Sequence, residues 1–196
     1  DDELPSARRA GSVNTIALVG GRLVGHSTDG EGALGALGGT AAVAGRRALV
    51  LGAGGAARAV ARALVDAGAT VTLAARRSGR AAAVADAVGA GWVEWSEAAG
   101  LPFDVLVNAT PLGSDGVSSP VADPATLSGR TVLDLVLDPP ETPLLAAAAR
   151  ADGRPIPGRV HWAHQGAAQM RLLTGLTLDP ADLLRAVETA AGAGRP

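Results

Sequence analysis

The stretch Ala48-Leu49-Val50-Leu51-Gly52-Ala53-Gly54-Gly55-Ala56-Ala57 decides the fold class of this 196-residue chain. A short apolar run enters a glycine turn, after which a helical stretch and a second strand-like run, Thr70–Leu73, follow. Strand, turn, helix and strand in about 25 residues form a βαβ unit, whose crossover requires parallel pairing. Further apolar runs at Phe103–Val107 and Thr131–Val136 predict a doubly wound parallel α/β sheet that is covered on both faces.

Shorter signals surround this unit. The paired glycines Gly20-Gly21 predict a hairpin within 12–26, because adjacent glycines suit a tight turn between two β-compatible runs. Helices are expected at about 162–173 and after Asp179-Pro180, where Asp can cap and Pro suits the first helical position. Trp92 and Trp95 are expected on one strand face and are interpreted as packing residues.

Composition excludes several classes of protein. The 17 basic residues are all Arg, and the chain has no Cys, Tyr or Lys. Disulfides, thiolate zinc sites, a cysteine nucleophile and the Tyr-x-x-x-Lys relay of short-chain dehydrogenases are therefore excluded. No metal site is predicted either, because no carboxylate or Cys accompanies His26, His161 or His164 at ligand spacing.

The overall charge and the apolar pattern restrict the partners and the location. A net charge of −2 with 47% hydrophobic residues is typical of a globular protein, so nucleic acid is not an expected partner. No apolar run reaches the roughly 18 positions of a membrane span, and the acidic start, 1–3, differs from the basic start of a signal peptide. We therefore expect no membrane association and a cytoplasmic location.

The glycine turn has the form Gly-x-Gly-x-x-Ala and predicts a dinucleotide site. Gly52 allows the tight turn, Gly54 lets a pyrophosphate approach the backbone, and Ala57 permits close packing of helix and strand. The helix start, with Gly55 and Ala56, offers free N–H groups to phosphates. A plain strand–turn–helix junction is the alternative in a chain so rich in Gly and Ala, but the βαβ context favours the dinucleotide.

The residues after the second strand indicate which dinucleotide binds. An NAD site would have an acidic residue there, whereas this chain has Arg76, Arg77 and Arg80. Guanidinium groups suit a 2′-phosphate, so NADP is the predicted cofactor. A solvated arginine cluster is the alternative, although cations at a helix N-terminus oppose its dipole unless an anion lies between them.

Taken together, the motifs of the chain resemble the shikimate dehydrogenase family, whose members reduce 3-dehydroshikimate with NADPH. Their order and spacing carry the resemblance, since no single motif is decisive. The matching stretches are Gly11-Ser12-Val13-Asn14-Thr15, Ser27-Thr28-Asp29-Gly30, Gly52–Arg58, Arg76 with Arg80, Asn108-Ala109-Thr110-Pro111-Leu112-Gly113, Asp134-Leu135-Val136, Glu141-Thr142-Pro143-Leu144 and His164-Gln165-Gly166-Ala167.

The resemblance assigns roles to individual residues. It implies that Asn14, Asp29 and Gln165 contact the substrate and that Asp29 belongs to a catalytic Lys–Asp pair that moves the proton of the carbinol oxygen. It also implies that Asn108 and Thr110 line the cofactor near the nicotinamide ribose. Judged locally, Asp29 could be a helix N-cap, Asn14 a turn residue, Gln165 a solvent-facing residue and Asn108 the start of an Asx turn.

The chain also departs from the family pattern. Leu137 stands in place of a tyrosine that touches substrate, His161-Trp162 replaces Met-Leu beside the nicotinamide, and Ser27 replaces Asn. Family members begin with a segment that carries the catalytic Lys in an Asn-Val-Thr-x-Pro-x-Lys run, and this chain enters the pattern after it. We therefore expect the 196 residues to bind NADP but not to run the family reaction at a normal rate.

The resemblance implies three segments and one activity. Residues 1–42 would be a remnant of the substrate-binding domain, 43–155 a Rossmann-like NADP domain, and 156–196 helices that return to the substrate domain. The expected activity is NADPH-dependent reduction of 3-dehydroshikimate to shikimate, by a monomer or a homodimer. Three alternatives stay open: a paralogue that acts on quinate or an aminated shikimate analogue, a non-catalytic NADP-binding module, and a methylenetetrahydrofolate-dehydrogenase-like enzyme.

Overall fold

The computed structural model describes residues 1–193, so residues 194–196 of the third predicted segment lie outside it. A small α/β layer comes first. Its elements are β1 (Asp2–Glu3), α1 (Pro5–Ala10), β2 (Thr15–Val19), β3 (Arg22–His26), α2 (Asp29–Leu37) and α3 (Thr40–Val43). The three strands form one sheet in the order β1-β3-β2, in which β2 and β3 are antiparallel. Gly20 and Gly21, both with positive φ, make the predicted hairpin turn between them.

The second sheet has six strands, all parallel. They are β4 (Arg47–Leu51), β5 (Thr70–Ala75), β6 (Gly91–Glu94), β7 (Val105–Asn108), β8 (Thr131–Asp134) and β9 (Arg154–Ile156), in the order β6-β5-β4-β7-β8-β9. The chain moves outward from β4 to one edge and then, from β7, to the other. β4 and β7 therefore mark the point where the strand order reverses, and ligands of such sheets bind outside the carboxyl ends there.

Helices cover both faces of this sheet, as the sequence predicts. The helices are α4 (Gly55–Asp66), α5 (Ser78–Val88), α6 (Pro143–Arg150), α7 (Gly158–Thr174) and α8 (Pro180–Ala193), with 3₁₀ turns at Trp95–Gly100 and Pro124–Leu127. Successive residues of β4 point to opposite faces: Val50 lies in the core beneath α4 and α5, whereas Leu49 and Leu51 lie in the core beneath α6. This double burial explains why the central strands read as continuous apolar runs.

The two edge strands were not predicted from the sequence. Both are short, Trp92 on β6 is 41% exposed, and Pro155 lies within β9. An edge strand tolerates proline because one side of its backbone needs no partner, and it needs no continuous apolar run. The interpretation of Trp92 and Trp95 as residues on one strand face is wrong, since β6 ends at Glu94 and Trp95 begins the next 3₁₀ turn.

The first sheet leaves one apolar face uncovered. Thr15 and Ala17 are buried, whereas Ile16, Leu18 and Leu23 are 62%, 72% and 51% exposed. Alternation along a strand produces this split, because successive side chains point to opposite faces. None of the helices within residues 1–193 has both the length and the apolar character that crossing a bilayer requires.

Candidate functional site

The glycine turn joins β4 to α4 at the point where the strand order reverses. Gly52 has φ +117°, and a Cβ there would lie 2.8 Å from the carbonyl oxygen of Ala109, which follows β7. Gly54 is the N-cap of α4, and a Cβ there would meet no heavy atom within 4 Å. The first position thus requires glycine for the protein's own backbone, whereas the second leaves open space beside the helix N-terminus. That space suits a pyrophosphate.

A cavity of about 490 Å³ runs from this turn to the end of β5. We call it the glycine–arginine cleft. Its walls are Gly52, Ala53, Gly54, Ala75, Arg76, Arg77, Arg80, Trp95, Ala109, Thr110, Pro111, Leu112, Ser114 and Asp115. The volume lies within the range of small-molecule sites in proteins. Six of the nine predicted cofactor residues therefore line one cavity, and Gly55 and Ala56 continue from its glycine turn into α4.

The three arginines carry the positive charge of the cleft. All three are exposed, and within residues 1–193 none of them joins a salt bridge. Arg77 is the N-cap residue of α5, whose first turn contains no acidic side chain. Cations at a helix N-terminus oppose the helix dipole, and a bound dianion would relieve that repulsion.

The cleft also has one acidic lining residue, Asp115. Hydrogen bonds from Ser118 and Val117 lower the pKa of Asp115 to about 2.

The loop after β7 forms the opposite wall, and buried hydrogen bonds hold its shape. Asn108 is fully buried: its Nδ2 donates to Asp134 Oδ1 at 2.8 Å and to the Leu112 carbonyl at 3.0 Å. Its Oδ1 accepts from the backbone N–H of Thr110 at 3.1 Å and from the hydroxyl at 2.7 Å. Asn108 therefore lies behind the wall, and Thr110 lies on it.

Asp134 anchors this network from the end of β8. Its carboxylate accepts from the Thr142 hydroxyl at 2.6 Å, from the Val136 N–H at 3.1 Å and from Asn108. Burial raises the pKa of Asp134, although the three donors act in the opposite direction. A shallower cleft of about 400 Å³ continues from Thr110 towards Ala56 and the exposed Leu137. This extension connects the loop to the segment in which the chain departs from the family.

Asn14 and Asp29, the predicted substrate residues, lie in contact. Asn14 Nδ2 donates to Asp29 Oδ1 at 2.9 Å and to the hydroxyl of Thr28 at 3.0 Å, and its Oδ1 accepts from the N–H of Thr28 at 3.1 Å. Asp29 is the first residue of α2 and not its N-cap, which is Thr28. Asp29 Oδ2 accepts no hydrogen bond from the described part of the chain, so one carboxylate oxygen stays available.

Helix α7 supports this pair from behind. His161 Nε2 lies 3.1 Å from the Asp29 carbonyl oxygen, and Gln169 Nε2 donates to the Thr15 hydroxyl at 3.0 Å. Thr15 in turn donates to Asn14 Oδ1 at 3.0 Å. Burial lowers the pKa of His161, so its neutral form donates to the carbonyl. Gln165 lies one helical turn after His161 and one turn before Gln169, so the three residues share one face of α7. The side chain of Gln165 makes no hydrogen bond within residues 1–193.

The segment before Asn14 contacts the start of α4. Gly11, with φ +59°, ends α1, and a Cβ there would lie 2.1 Å from the Cζ of Arg58. Arg58 Nη1 donates to the Gly11 carbonyl at 3.4 Å, and a Cβ on Gly55 would lie 3.5 Å from the Cβ of Ser12. The segment that leads into Asn14 thus lies against the first turn of α4, although 43 residues separate Ser12 from Gly55 along the chain.

Sequence reasoning missed several members of this site. Trp95 lines the glycine–arginine cleft, Gln169 supports Asn14 through Thr15, and Asp134 orients Asn108. The position of Asp134 in a matching motif was a signal, but its hydrogen bonds depend on strand register. Within the described residues, no group of three potential ligand side chains could hold a metal ion.

The fold and the site define a class: a doubly wound α/β protein with a nucleotide cleft at the reversal of its strand order. No protein-family model matches the chain. Shikimate dehydrogenase (NADP(+)) from Gluconobacter oxydans is 43% identical over 183 residues, which are 90% of this chain and 65% of that protein. The enzyme of the same name from Oleidesulfovibrio alaskensis is 39% identical over 99% of this chain and 71% of its own length. The chain therefore belongs to the shikimate dehydrogenase family.

Solved structures agree with this membership. Shikimate 5-dehydrogenase from Thermus thermophilus, in complex with NADP(H) and shikimate, has a TM-score of 0.85 and 39% identity, with 97% of this chain and 72% of that chain covered. Quinate dehydrogenase from Corynebacterium glutamicum, in complex with NAD, also has a TM-score of 0.85, at 31% identity over 96% of this chain and 72% of that chain. The predicted fold class is confirmed. The chain spans 65% and 71% of the two curated relatives above.

Proposed function

We propose that the protein reduces 3-dehydroshikimate to shikimate with NADPH. The observation that carries this proposal is the packing of two features on the same helix, α4. One is the glycine–arginine cleft, with three arginines free of salt bridges within residues 1–193, and the other is the Asn14–Asp29 pair, whose neighbours Ser12 and Gly30 lie against Gly55 and Ala59. The relatives are named as NADP-dependent shikimate dehydrogenases, which agrees with both features. The cytoplasmic location and the monomeric or homodimeric state stay predictions.

The residues of the cleft divide the binding of NADP between them. Gly54, Gly55 and Ala56 present the N-terminus of α4 to the pyrophosphate, because the backbone there is open and positively polarised. Arg76 and Arg80 hold the 2′-phosphate through guanidinium hydrogen bonds, with Arg77 beside them. The predicted contact of Asn108 becomes an indirect one in this proposal: the buried amide orients Thr110, which touches the cofactor.

Asp29 has the central role at the substrate end. NADPH, when bound, supplies a hydride to the carbonyl carbon, and the carbonyl oxygen then needs a proton. Asn14 fixes one oxygen of Asp29, and the other oxygen faces the substrate or a cation that delivers the proton. The family resemblance predicts a lysine for that cation, and the 196 residues contain none. Gln165, with no partner among the described residues, completes the set of substrate contacts.

Cofactor choice is the direct test on this chain. Titration of nicotinamide fluorescence should give tighter binding of NADPH than of NADH, and Arg76→Ala or Arg80→Ala should weaken NADPH binding about tenfold or more, because each charged hydrogen bond contributes roughly 1.5–3 kcal/mol. Arg150→Ala is the matched control, since that exposed arginine ends α6, outside the cleft. Equal affinity for NADH and NADPH, or an unchanged Arg76→Ala, would refute the assignment.

Turnover is tested with the whole protein. NADPH-dependent reduction of 3-dehydroshikimate is followed by the loss of absorbance of the reduced nicotinamide, and Asp29→Asn should abolish most of it while NADPH affinity is kept. Cofactor binding without turnover would favour the non-catalytic module, and binding of a folate would favour the methylenetetrahydrofolate-dehydrogenase-like alternative.

A quinate or aminated-shikimate reaction is the second candidate. Leu137 replaces the family tyrosine and is 50% exposed on the extension of the cleft, so the substrate end differs from the family pattern where a ring hydroxyl would be recognised. Oxidation of shikimate, quinate and the amino analogue should be compared at equal concentrations. A higher kcat/KM for quinate or the amino analogue would replace shikimate in the proposal.

A further inference from the structure

Trp95 leaves the sheet beside the arginines of the glycine–arginine cleft. In the parallel register of β5 and β6, Ala75 pairs with Glu94, so the next residues of the two strands, Arg76 and Trp95, are neighbours at the carboxyl edge. The backbone is fixed there because Glu94 and Glu97 form a capping box around the 3₁₀ turn that Trp95 begins, with the N–H of Glu94 donating to Glu97 at 2.9 Å. The backbone therefore places Trp95 next to Arg76, and both residues line the cleft.

The indole also lies between two cavities. It packs on the core beneath α6 and borders a small apolar cavity of about 210 Å³ together with Phe103 and Leu106. Another part of it lines the glycine–arginine cleft, where it is the only aromatic residue among the described lining residues. A ring held by the core on one side and open to a cleft on the other costs little conformational entropy when a flat ligand packs against it.

We propose that Trp95 forms the wall of the cleft against which the adenine ring of the cofactor packs, beside the arginines that hold the 2′-phosphate. This inference rests on the proposed NADP site and assigns its adenine end to one side chain. A purine is planar and has a π-face, and an indole offers it a large flat apolar surface. Trp95 and Arg76 follow paired residues of neighbouring strands, so the groups that recognise the adenine and the 2′-phosphate lie side by side. The attachment of both groups to one ribose requires this.

The test uses 2′,5′-ADP, which carries adenine and a 2′-phosphate but no nicotinamide. Calorimetric titration of the 196-residue chain should show that Trp95→Ala weakens binding of 2′,5′-ADP about tenfold, the effect typical of the loss of one base-stacking aromatic. Trp95→Phe should keep most of the affinity. Trp92→Ala is the matched control, because Trp92 lies three residues earlier, on β6, is exposed and does not line the cleft.

A second measurement does not depend on the alanine variant being folded. The chain has three tryptophans, so a Trp92→Phe/Trp162→Phe variant leaves Trp95 as the only indole emitter. Saturating 2′,5′-ADP should change the emission of that variant, and inorganic pyrophosphate should not.

The outcomes separate the inference from the function on which it rests. If the unaltered chain binds 2′,5′-ADP, and neither the emission nor the Trp95→Ala affinity changes, the role of Trp95 is overturned while the NADP site stands. If the unaltered chain binds neither 2′,5′-ADP nor NADPH, the proposed NADP site fails and the inference fails with it.

Discussion

Replacing Gly52 by alanine tests the junction on which both the fold and the cofactor cleft depend. The residue has φ +117°, a region that alanine avoids at a cost of roughly 1–2 kcal/mol. The added Cβ would also lie 2.8 Å from the carbonyl oxygen and 3.1 Å from the carbonyl carbon of Ala109. Both atoms belong to the backbone, so the collision is relieved only if β4 or the loop after β7 moves, and such overpacking costs about 1–3 kcal/mol.

The expected loss for Gly52→Ala is therefore about 2–5 kcal/mol, a large part of the roughly 5–15 kcal/mol that stabilises a typical domain. Urea unfolding followed by circular dichroism measures it directly. NADPH affinity should fall as well, because movement of Ala109 displaces the neighbouring Thr110 from the wall of the cleft.

Gly54→Ala is the matched control two residues further on. Its φ of −86° suits alanine and no heavy atom lies within 4 Å of the new Cβ, so unfolding should change by no more than about 0.5 kcal/mol. NADPH binding should nevertheless weaken, since the methyl group occupies the space assigned to the pyrophosphate. The reasoning is refuted if Gly52→Ala unfolds like the unaltered chain, or if Gly54→Ala destabilises the fold as strongly.

Three further predictions concern pH and packing. Burial raises the pKa of Asp134, so the protonated carboxyl favours the folded state at low pH, and this stabilisation is lost as the pH rises through the raised pKa. The free energy of unfolding, measured from pH 4 to pH 7, should therefore fall for the unaltered chain relative to Asp134→Asn. Parallel curves for the two proteins would contradict this. Hydrogen bonds from Arg47 lower the pKa of Asp104, so the ionised carboxylate stabilises the fold at neutral pH and this stabilisation is lost in acid. The difference between the melting temperatures at pH 7 and pH 3 should therefore be smaller for Asp104→Asn than for the unaltered chain. Gly32→Ala in α2 should destabilise the fold by about 1–3 kcal/mol in the same urea assay, because the added Cβ would lie 3.1 Å or less from atoms of α7. Gly166→Ala in α7 should instead stabilise the fold by up to about 1 kcal/mol, because the nearest atom to its added Cβ, on Leu183, is 3.7 Å away and alanine is the better helix former.

The central strands of the large sheet are predictable from sequence for a physical reason. β4, β5, β7 and β8 are buried on both faces, so apolar runs bounded by turn residues reveal them. β6 and β9 pair on one side only and contain Gly91 and Pro155. Edge strands are not buried on both faces, so they do not need a continuous apolar run. The central strands are therefore predictable from their own residues, whereas the edge strands form because a neighbouring strand is available for pairing.

The candidate site divides in the same way. Gly52, Gly54 and the arginines lie within about 30 residues of one another, in a motif whose mechanics are local, and sequence reasoning found them. The contact between Asn14 and Asp29 depends on how β2 meets α2, so it was reached through the family resemblance. Trp95 became visible only when strand register placed it beside Arg76. Residues that act through register or through a second element carry no local signal.

The contact between Gly11 and Arg58 links the identities of two positions that are far apart in the chain. The guanidinium occupies the space that a Cβ at position 11 would need, so a side chain there requires Arg58 to swing away from the Gly11 carbonyl or to be replaced by a shorter residue. Evolutionary change at the two sites should therefore be correlated: relatives without glycine at the first should lack arginine at the second more often than relatives that keep the glycine. Sequence variation across relatives thus records whether the substrate-side segment still sits against the helix that holds the phosphates.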